Sequence, residues 1–447
     1  MTDAIQTLCK DISAAYTIDD SHFRNMSIKR GLRNEDGTGV PIGITQIGSV
    51  QGYYVEDGEK TPMEGHLYYR GIDVADIANA HQAAGTFGYE EVCYLLLMGR
   101  LPTAQEKASF DQIIAEARPL PDGFFEDMIL KVSGNNVMNV LPRCVLALYN
   151  YDDAPEDSSI EHLIQQAIYL IARFPGIVAT AYAAKRHHYD HKSLYVHNPK
   201  AHLSTSENFL RMLRPNKEYT PEEAKLLDLM LILHAEHGGG NNSTFTCRSL
   251  SSTGTDTYSA IAGAVCSLKG PLHGGANGKA LGMINDLKEH VSDLKDDDAI
   301  TAHLGHILDG DAFDHSGKIY GLGHAVYTLS DPRTTLIRKY ALALAEQRGR
   351  LDDFRLIESV ERLGLAEISR RKHTNTPLCA NVDMYSGLVY DMLSIPQELF
   401  TPLFATARIA GWCAHRIEEV TTCNRIMRPA YRATVRKLSY TPIEQRD

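Results

Sequence analysis

The chain has 447 residues, 43% of them hydrophobic and 23% charged, which is enough to bury a large core as one or two domains and excludes a largely disordered chain. Acidic side chains outnumber basic ones 56 to 45, for a net charge of −11, which argues against a nucleic-acid or anionic-membrane surface as the main partner. An anionic ligand would therefore have to meet arginines placed locally for it.

The eight cysteines include no CxxC pair and read as reduced core residues of a cytosolic protein. The N-terminal MTDAIQTLCKDISAAYTIDD has neither the basic-then-apolar order of a secretory signal nor the acid-poor composition of a transit peptide. No apolar run approaches the roughly 20 residues of a membrane helix, so a cytoplasmic location is expected.

In chain order, residues 1–40 suggest an amphipathic helical lead-in ending in the glycine-bearing RNEDGTGV. Two short β-like segments follow, 45–55 and 66–69, parted by the turn-forming EDGEKTPMEG. From Asp73 onward the apolar spacing is helical, at 88–97, 104–117, 161–173, 221–236 and 259–268, then 276–284, 298–308, 332–347, 353–364 and 401–420. Thr103 with Glu106, and Thr220 with Glu223, fit capping boxes, the second with Pro221 at the first helical position. Internal repeats and flexible linkers are absent, so a second domain would be an intimately packed insertion.

Five stretches combine glycine with functional groups. In LILHAEHGGGNNSTF, His234 and His237 lie one turn apart at a helix end closed by Gly238 to Gly240. They are open to two readings, a metal pair lacking an evident third ligand, or a capping and core role for His234. In SLKGPLHGGAN, His273 sits in a stiff Gly/Pro turn, either solvated or presented to a ligand that the glycines let approach.

In GKIYGLGHAVYTLSDPR, Gly321 and Gly323 precede His324, and Asp331-Pro332 opens a helix with Arg333 in its first turn. A cation there opposes the helix dipole unless an anion joins it, so the place suits a carboxylate or phosphate, or Arg333 is a surface residue. In LCANVDMYSG, Asp383 is either a helix N-cap or a tuned general base. In TPLFATARIAGWCAHRIEEV, Arg408 stands among apolar residues and requires a partner, either Glu418 or Glu419 or a ligand carboxylate; Arg428 in RIMRPAY is a further candidate.

Taken together and in this order, GPLHGGAN, GLGHAVYTLSDPR, NVDMYSG and the ARIAG and RP segments resemble the signature segments of the citrate synthase family, and HAEHGGGNNSTF is similar to another of them. The likeness spans roughly 43–431. It implies an all-α fold with a minor N-terminal β-hairpin. The large helical domain would comprise 1–273 and 383–447, with the lead-in at 1–40, and a smaller inserted helical domain would comprise 274–382. It further implies condensation of acetyl-CoA with oxaloacetate to citrate, or, on the same residues, of propionyl-CoA to 2-methylcitrate.

Carried over residue by residue, the resemblance makes His273, His324 and Asp383 catalytic and sets His237, Arg333, Arg408 and Arg428 around oxaloacetate. Arg428 would reach in from the second subunit of a homodimer. CoA would meet Lys318, Ile319 and Gly321, with Arg371, Lys372 and Asn381, and neither a metal nor a cofactor beyond the substrates is implied. Thr328 departs from the arginine that animal relatives carry for a CoA phosphate. Two readings of other classes remain beside this one: a metal hydrolase using His234/His237 and His303/His306, and a helical interaction protein without catalysis.

Overall fold

The computed structural model describes all residues except 1, 10–11, 57–58, 373–376, 424 and 447. Its described chain forms two compact units, Met1–Ile42 with Met427–Asp447, and Gly43–Ile426. The first carries α1 (Thr2–Leu8) and α2 (Asp20–Asn25), with one short 3-10 turn between them and another after α2. The expected amphipathic lead-in is thus broken into pieces. Asp19 ends the preceding turn by accepting the Ser21 N–H at 2.8 Å as the N-cap of α2. Helices of 7 and 6 residues are too short to stand on propensity alone, and α2 buries no side chain.

The larger unit begins with strands β1 (Gly48–Glu56), β2 (Glu59–Tyr69) and β3 (Ile72–Asp73), antiparallel in that order. The expected hairpin is therefore a small three-stranded sheet, and of EDGEKTPMEG, expected as a turn, Glu59 to Gly65 lie in β2 because they pair with β1, while residues 57 and 58 lie outside the described residues. Helices α3 (Val74–Ala84), α4 (Tyr89–Met98), α5 (Ala104–Ala117), α6 (Val137–Leu148), α7 (Ile160–Tyr189), α8 (Thr205–Leu213), α9 (Pro221–His234), α10 (Asn242–Ser251) and α11 (Thr257–Lys269) come next. After them follow α12 (Ala276–His290), α13 (Asp297–Asp309), α14 (Pro332–Arg348), α15 (Leu351–Lys372), α16 (Asp383–Met392) and α17 (Phe400–Thr422). The fold is mostly α with a minor sheet. Both expected capping boxes form, Thr103/Glu106 on α5 and Thr220/Glu223 on α9, and Ser204/Glu207 on α8 adds a third.

The core gathers around α17, which packs on α4, α7, α9, α10 and α11 and buries Trp412 and Arg408 completely. A long helix buried on most sides shows no clean sequence period, which is why α7 outruns the span its spacing suggests. One correction concerns α7: its 30 residues are long and apolar enough to cross a membrane, contrary to the expectation that no run approaches that length. Within the fold 83% of its most apolar window is buried against protein, so it serves as a core helix. All eight cysteines are free; Cys93, Cys144, Cys247, Cys379 and Cys413 are buried as expected, whereas Cys9, Cys266 and Cys423 are exposed.

Candidate active site

Helix ends and the loops beside them converge on one internal cavity of about 140 Å³, lined by His237, Asn241, Leu268, His273, Gly274, His324, Arg333, Asn381, Val382, Asp383, Phe404 and Arg408. Seven residues singled out from sequence, His237, His273, His324, Arg333, Asn381, Asp383 and Arg408, therefore share one small space. Arg428 belongs to the other unit and is exposed there.

His273 stands between α11 and α12 in a turn closed by bonds from its own N–H to Gly270 O, 2.9 Å, and from Gly274 N–H to Leu268 O, 3.0 Å. Packing requires the glycine at 274, which also lines the cavity. A Cβ on Gly274 would lie 2.3 Å from Leu268 O and 2.8 Å from Thr401 Cγ2. The imidazole Nε2 accepts the Ser243 backbone N–H at 3.3 Å and lies 3.1 Å from Ser243 Oγ. A ring nitrogen that accepts from an amide carries no proton, so the proton sits on Nδ1. Burial, with Arg408 adding to it, lowers the His273 pKa to about 4, and the ring is neutral at physiological pH.

His324 is fixed the same way from the other side, with Nδ1 accepting the N–H groups of Val326 and Tyr327 at 3.0 and 3.1 Å. Its proton is therefore on Nε2. Gly321 and Gly323, at φ +86° and +85°, bend the chain into this loop through a region closed to most side chains. The same stretch is pinned to the segment before α16, where Asn381 N–H donates to Gly321 O and Asn381 Nδ2 to Gly323 O, both at 2.8 Å.

Asp383 is the first residue of α16, not its N-cap; that place is Val382. Its half-buried carboxyl is raised to about 6, chiefly by desolvation, with Arg333 opposing the shift and Asp331 reinforcing it. A base that titrates just below neutrality is ionised at pH 7 yet remains a willing proton acceptor.

The two arginines differ. At the start of α14 the Asp331 carboxylate caps Arg333 N–H at 3.0 Å and grips its guanidinium through Nε at 3.0 Å and Nη2 at 2.7 Å. The anion that this helix start requires is built in. Arg408, 0% exposed, donates Nε to His234 O at 2.6 Å and lies over the Phe404 ring at 4.6 Å. Its Nη1 and Nη2 are buried without a hydrogen-bond partner among the described residues. Glu418 and Glu419, the structural partners considered from sequence, pair instead with Arg248 at 2.6 and 2.8 Å. A buried guanidinium with both Nη groups unsatisfied has the chemistry to receive an anion, and desolvation lowers its pKa to about 10.

His237 is buried with Nε2 unpartnered among the described residues, edge-on to His324 at 5.2 Å between ring centroids. Burial, helped by Arg333, holds its pKa well below the usual value. His234, whose Nε2 is also without a partner among the described residues, does not line the cavity and bonds Met230 O through Nδ1 at 2.6 Å. The group that brings metal-type ligand atoms together among the described residues is Asp286, His290 and His303, within 4.8 Å of one another. It includes neither His234 nor His306 and lies outside the cavity lining. Ser243, Asn241 and Trp412 escaped sequence reasoning; Trp412 Nε1 donates to Ser243 Oγ at 3.2 Å, behind His273.

A second, outer cavity of about 290 Å³ is lined by Ala276, Leu308, Gly317, Lys318, Ile319, Tyr320, Gly321, Leu322, Ile368, Arg371, Lys372 and Asn381. It gathers all six residues expected at CoA, and Asn381 belongs to both linings. Arg371 is already ion-paired, to Asp309 at 2.6 Å and Glu367 at 2.7 Å. Thr328 is buried and tied to the hairpin, donating to Gly52 O and accepting Met63 N–H at 3.3 Å.

A base poised near neutrality, two neutral histidines with opposite tautomers and a waiting guanidinium define an acid–base enzyme that takes an anion. Residues 36–430 match the family model described as citrate synthase, C-terminal domain. The chain is 36% identical over 387 residues to the citrate synthase of Deinococcus radiodurans, covering 86% of this chain and 93% of that one. It is 32% identical over 364 residues to the 2-methylcitrate synthase of Shewanella oneidensis, covering 81% and 87%. Among solved structures, the citrate synthase of Thermotoga maritima superposes with a TM-score of 0.72 at 30% identity over 92% of this chain and 98% of that one. The citrate synthase of Thermoplasma acidophilum in ternary complex with carboxymethyl coenzyme A and oxaloacetate gives 0.76 at 26% identity over 94% and 99%. The chain belongs to the citrate synthase family.

Proposed function

We propose that this enzyme condenses acetyl-CoA with oxaloacetate in the inner cavity and hydrolyses the resulting citryl thioester to citrate and CoA. The observation that carries the reading is the pair of unpartnered Nη groups of Arg408, buried in the same cavity as Asp383, His273 and His324. Oxaloacetate lies with its carboxylates toward Arg408, Arg333 and His237. Asp383 removes a methyl proton from acetyl-CoA while His273 Nδ1–H donates to the thioester oxygen. A thioester methyl is a very weak carbon acid, so the carboxylate acts only because a donor meets the charge as it forms on oxygen. The enolate carbon then attacks the ketone, whose oxygen is polarised by His324 Nε2–H.

The acyl-CoA occupies the outer cavity, with Lys318, Ile319 and Gly321 along the pantetheine and Arg371 and Lys372 toward the phosphates. Asn381, shared by the two linings, marks where the thioester passes between them. Residues 274–382 act as a small domain that closes over the substrates and excludes water before condensation. The working form is a cytoplasmic homodimer in which Arg428 reaches the partner's oxaloacetate, and no cofactor beyond the two substrates takes part.

Mixing the protein with acetyl-CoA, oxaloacetate and a thiol reagent should release free CoA; no release above background would sink the reading. The relative named 2-methylcitrate synthase supports a second reading, propionyl-CoA as the acyl donor. One methylene is worth only about 1–3 kcal/mol in an apolar pocket. Comparison of kcat/KM for the two acyl-CoAs decides, and a clear preference for propionyl-CoA would reverse the assignment.

A further inference from the structure

Arg408 is not the only unsatisfied buried group beside the cavity. Glu236 is 0% exposed, and its Oε2 is buried without a hydrogen-bond partner among the described residues. A buried carboxylate and a buried guanidinium, each with free valence, attract strongly in a poorly solvated interior. Yet no ion pair joins them among the described residues. Something holds them apart, and its parts are visible.

One stripe of α17 grips the turn after α9 residue by residue. Arg408 Nε donates to His234 O at 2.6 Å, Gly411 N–H to Ala235 O at 3.1 Å, and His415 Nε2 lies 2.9 Å from Glu236 Oε1. The three residues stand three and four apart, on one helix face. Arg248 Nη1 donates to His415 Nδ1 at 2.9 Å, so that ring is the neutral tautomer with its proton on Nε2, aimed at Glu236. Arg248 is anchored in turn by Glu418 and Glu419. Glu236 Oε1 also accepts Gly238 N–H at 2.5 Å, closing the turn that presents His237. Room for the carboxylate comes from Gly411, where a Cβ would lie 2.3 Å from Oε2, and Gly48, where one would lie 2.8 Å from Cγ.

We propose that His415, held by Arg248, is a positioning residue that tethers Glu236 away from Arg408 and so keeps the anion site of Arg408 vacant for oxaloacetate. Untethered, the Glu236 side chain turns its carboxylate onto the guanidinium and competes with the substrate carboxylate from within. This proposal rests on the reading of Arg408 as an oxaloacetate contact.

The test is steady-state kinetics on the folded dimer with melting curves as a fold check. His415→Leu should raise KM for oxaloacetate roughly tenfold, the equivalent of about 1.4 kcal/mol, while kcat at saturation and KM for acetyl-CoA move less than about twofold. His415→Gln, which keeps a donor near the Nε2 position, should retain most of the affinity. Glu236→Gln alone should bind oxaloacetate at least as tightly as the parent, and Glu236→Gln placed in the His415→Leu background should restore KM. A purely structural role predicts the reverse, with the double variant worse than either single one. The tether is overturned if His415→Leu and His415→Gln behave alike, if Glu236→Gln raises KM, or if the loss falls equally on kcat. Should His415→Leu not fold, Glu236→Gln and His415→Gln still decide. Arg408→Gln separates the two layers: if it leaves KM for oxaloacetate unchanged, the site reading fails, whereas if it raises KM and His415→Leu does not, only the tether fails.

Discussion

The two cavities of this enzyme are built on opposite principles. The inner one is walled by the buried, unsatisfied Arg408 Nη1 and Nη2 and His237 Nε2, and by the desolvated Asp383 carboxyl. The outer one is lined largely by loop segments and by cations at the surface, of which Arg371 is already neutralised by Asp309 and Glu367. Unsatisfied buried groups cost stability, and a ligand carboxylate would complete those that line the inner cavity. The outer cavity can hold a long, flexible ligand through many weak contacts. Substitutions inside should therefore change rate and stability in opposite senses, while substitutions outside should change one Michaelis constant by a little.

The contrast is tested most severely at Asp383. Asp383→Asn should lower kcat by about a thousandfold or more, the range for loss of a general base. It should also stabilise the fold. The folded pKa of about 6 lies above the unfolded carboxyl value, so the stability this group contributes is fully present below the unfolded pKa and is lost as pH rises through 6. At pH 7 the ionised carboxylate is a burden of about 1–2 kcal/mol after discounting for partial exposure, and a denaturant midpoint should move upward in the asparagine variant. A lost rate with lost stability would place Asp383 among ordinary structural residues. His273→Gln comes next, at roughly a hundredfold in kcat for one donor to a developing oxyanion. Its effect should fall on kcat more than on KM for either substrate.

How much of this was legible in the sequence follows the same division. Residues whose chemistry is intrinsic to their type and turn, such as His273, His324, Asp383 and Arg408, stood out because a glycine-rich turn or an apolar helix is a poor home for them. The capping boxes of α5, α8 and α9 are local, and two of them were read directly. What could not be read depends on which distant backbone passes close by. Packing requires the glycine at 274, since Leu268 O and Thr401 occupy the space a Cβ would need. The anion for Arg333 proved to be Asp331, two residues away and visible in the DPR string, yet only its fork geometry distinguishes a partner from a mere N-cap. Ser243 and Trp412 behind His273, and His415 behind Glu236, become connected only when α10 and α17 pack together. Of these, Trp412 and His415 left a trace, standing four and seven residues after Arg408 on the same helix face. The lead-in at 1–40 shows the converse: apolar periodicity without a surface to cover it gave short, exposed helices.

The pH profile sharpens the comparison further. Because Asp383 must be ionised to accept a proton, kcat/KM for acetyl-CoA should climb about tenfold per pH unit below 6 and level off above it. His273, with its pKa near 4, and His237, held well below the usual histidine value, should add no limb between pH 6 and 8. A second inflection near 7 that vanished in His273→Gln would mean that this ring titrates during catalysis and acts as a charged acid.

The smallest expected effect lies in the outer cavity, and it is diagnostic for that reason. Arg371 and Lys372 are both basic and both line it, but Arg371 spends its guanidinium on two carboxylates and Gly305 O. Lys372 is exposed and in no ion pair among the described residues. An exposed ammonium near a phosphate is worth a few tenths to about 1 kcal/mol and is screened by salt. Lys372→Ala should therefore raise KM for acetyl-CoA about two- to fourfold at low ionic strength, with the difference shrinking as salt is added, and leave KM for oxaloacetate unchanged. Arg371→Ala should move KM less and melting temperature more, because it removes one of the two arginines that hold the Glu367 carboxyl at about 2 and leaves only Arg370 on it. If Arg371→Ala instead produced the larger, salt-sensitive rise in KM, the phosphate would be displacing its carboxylate partners, and the outer cavity would be built on the same waiting-charge principle as the inner one.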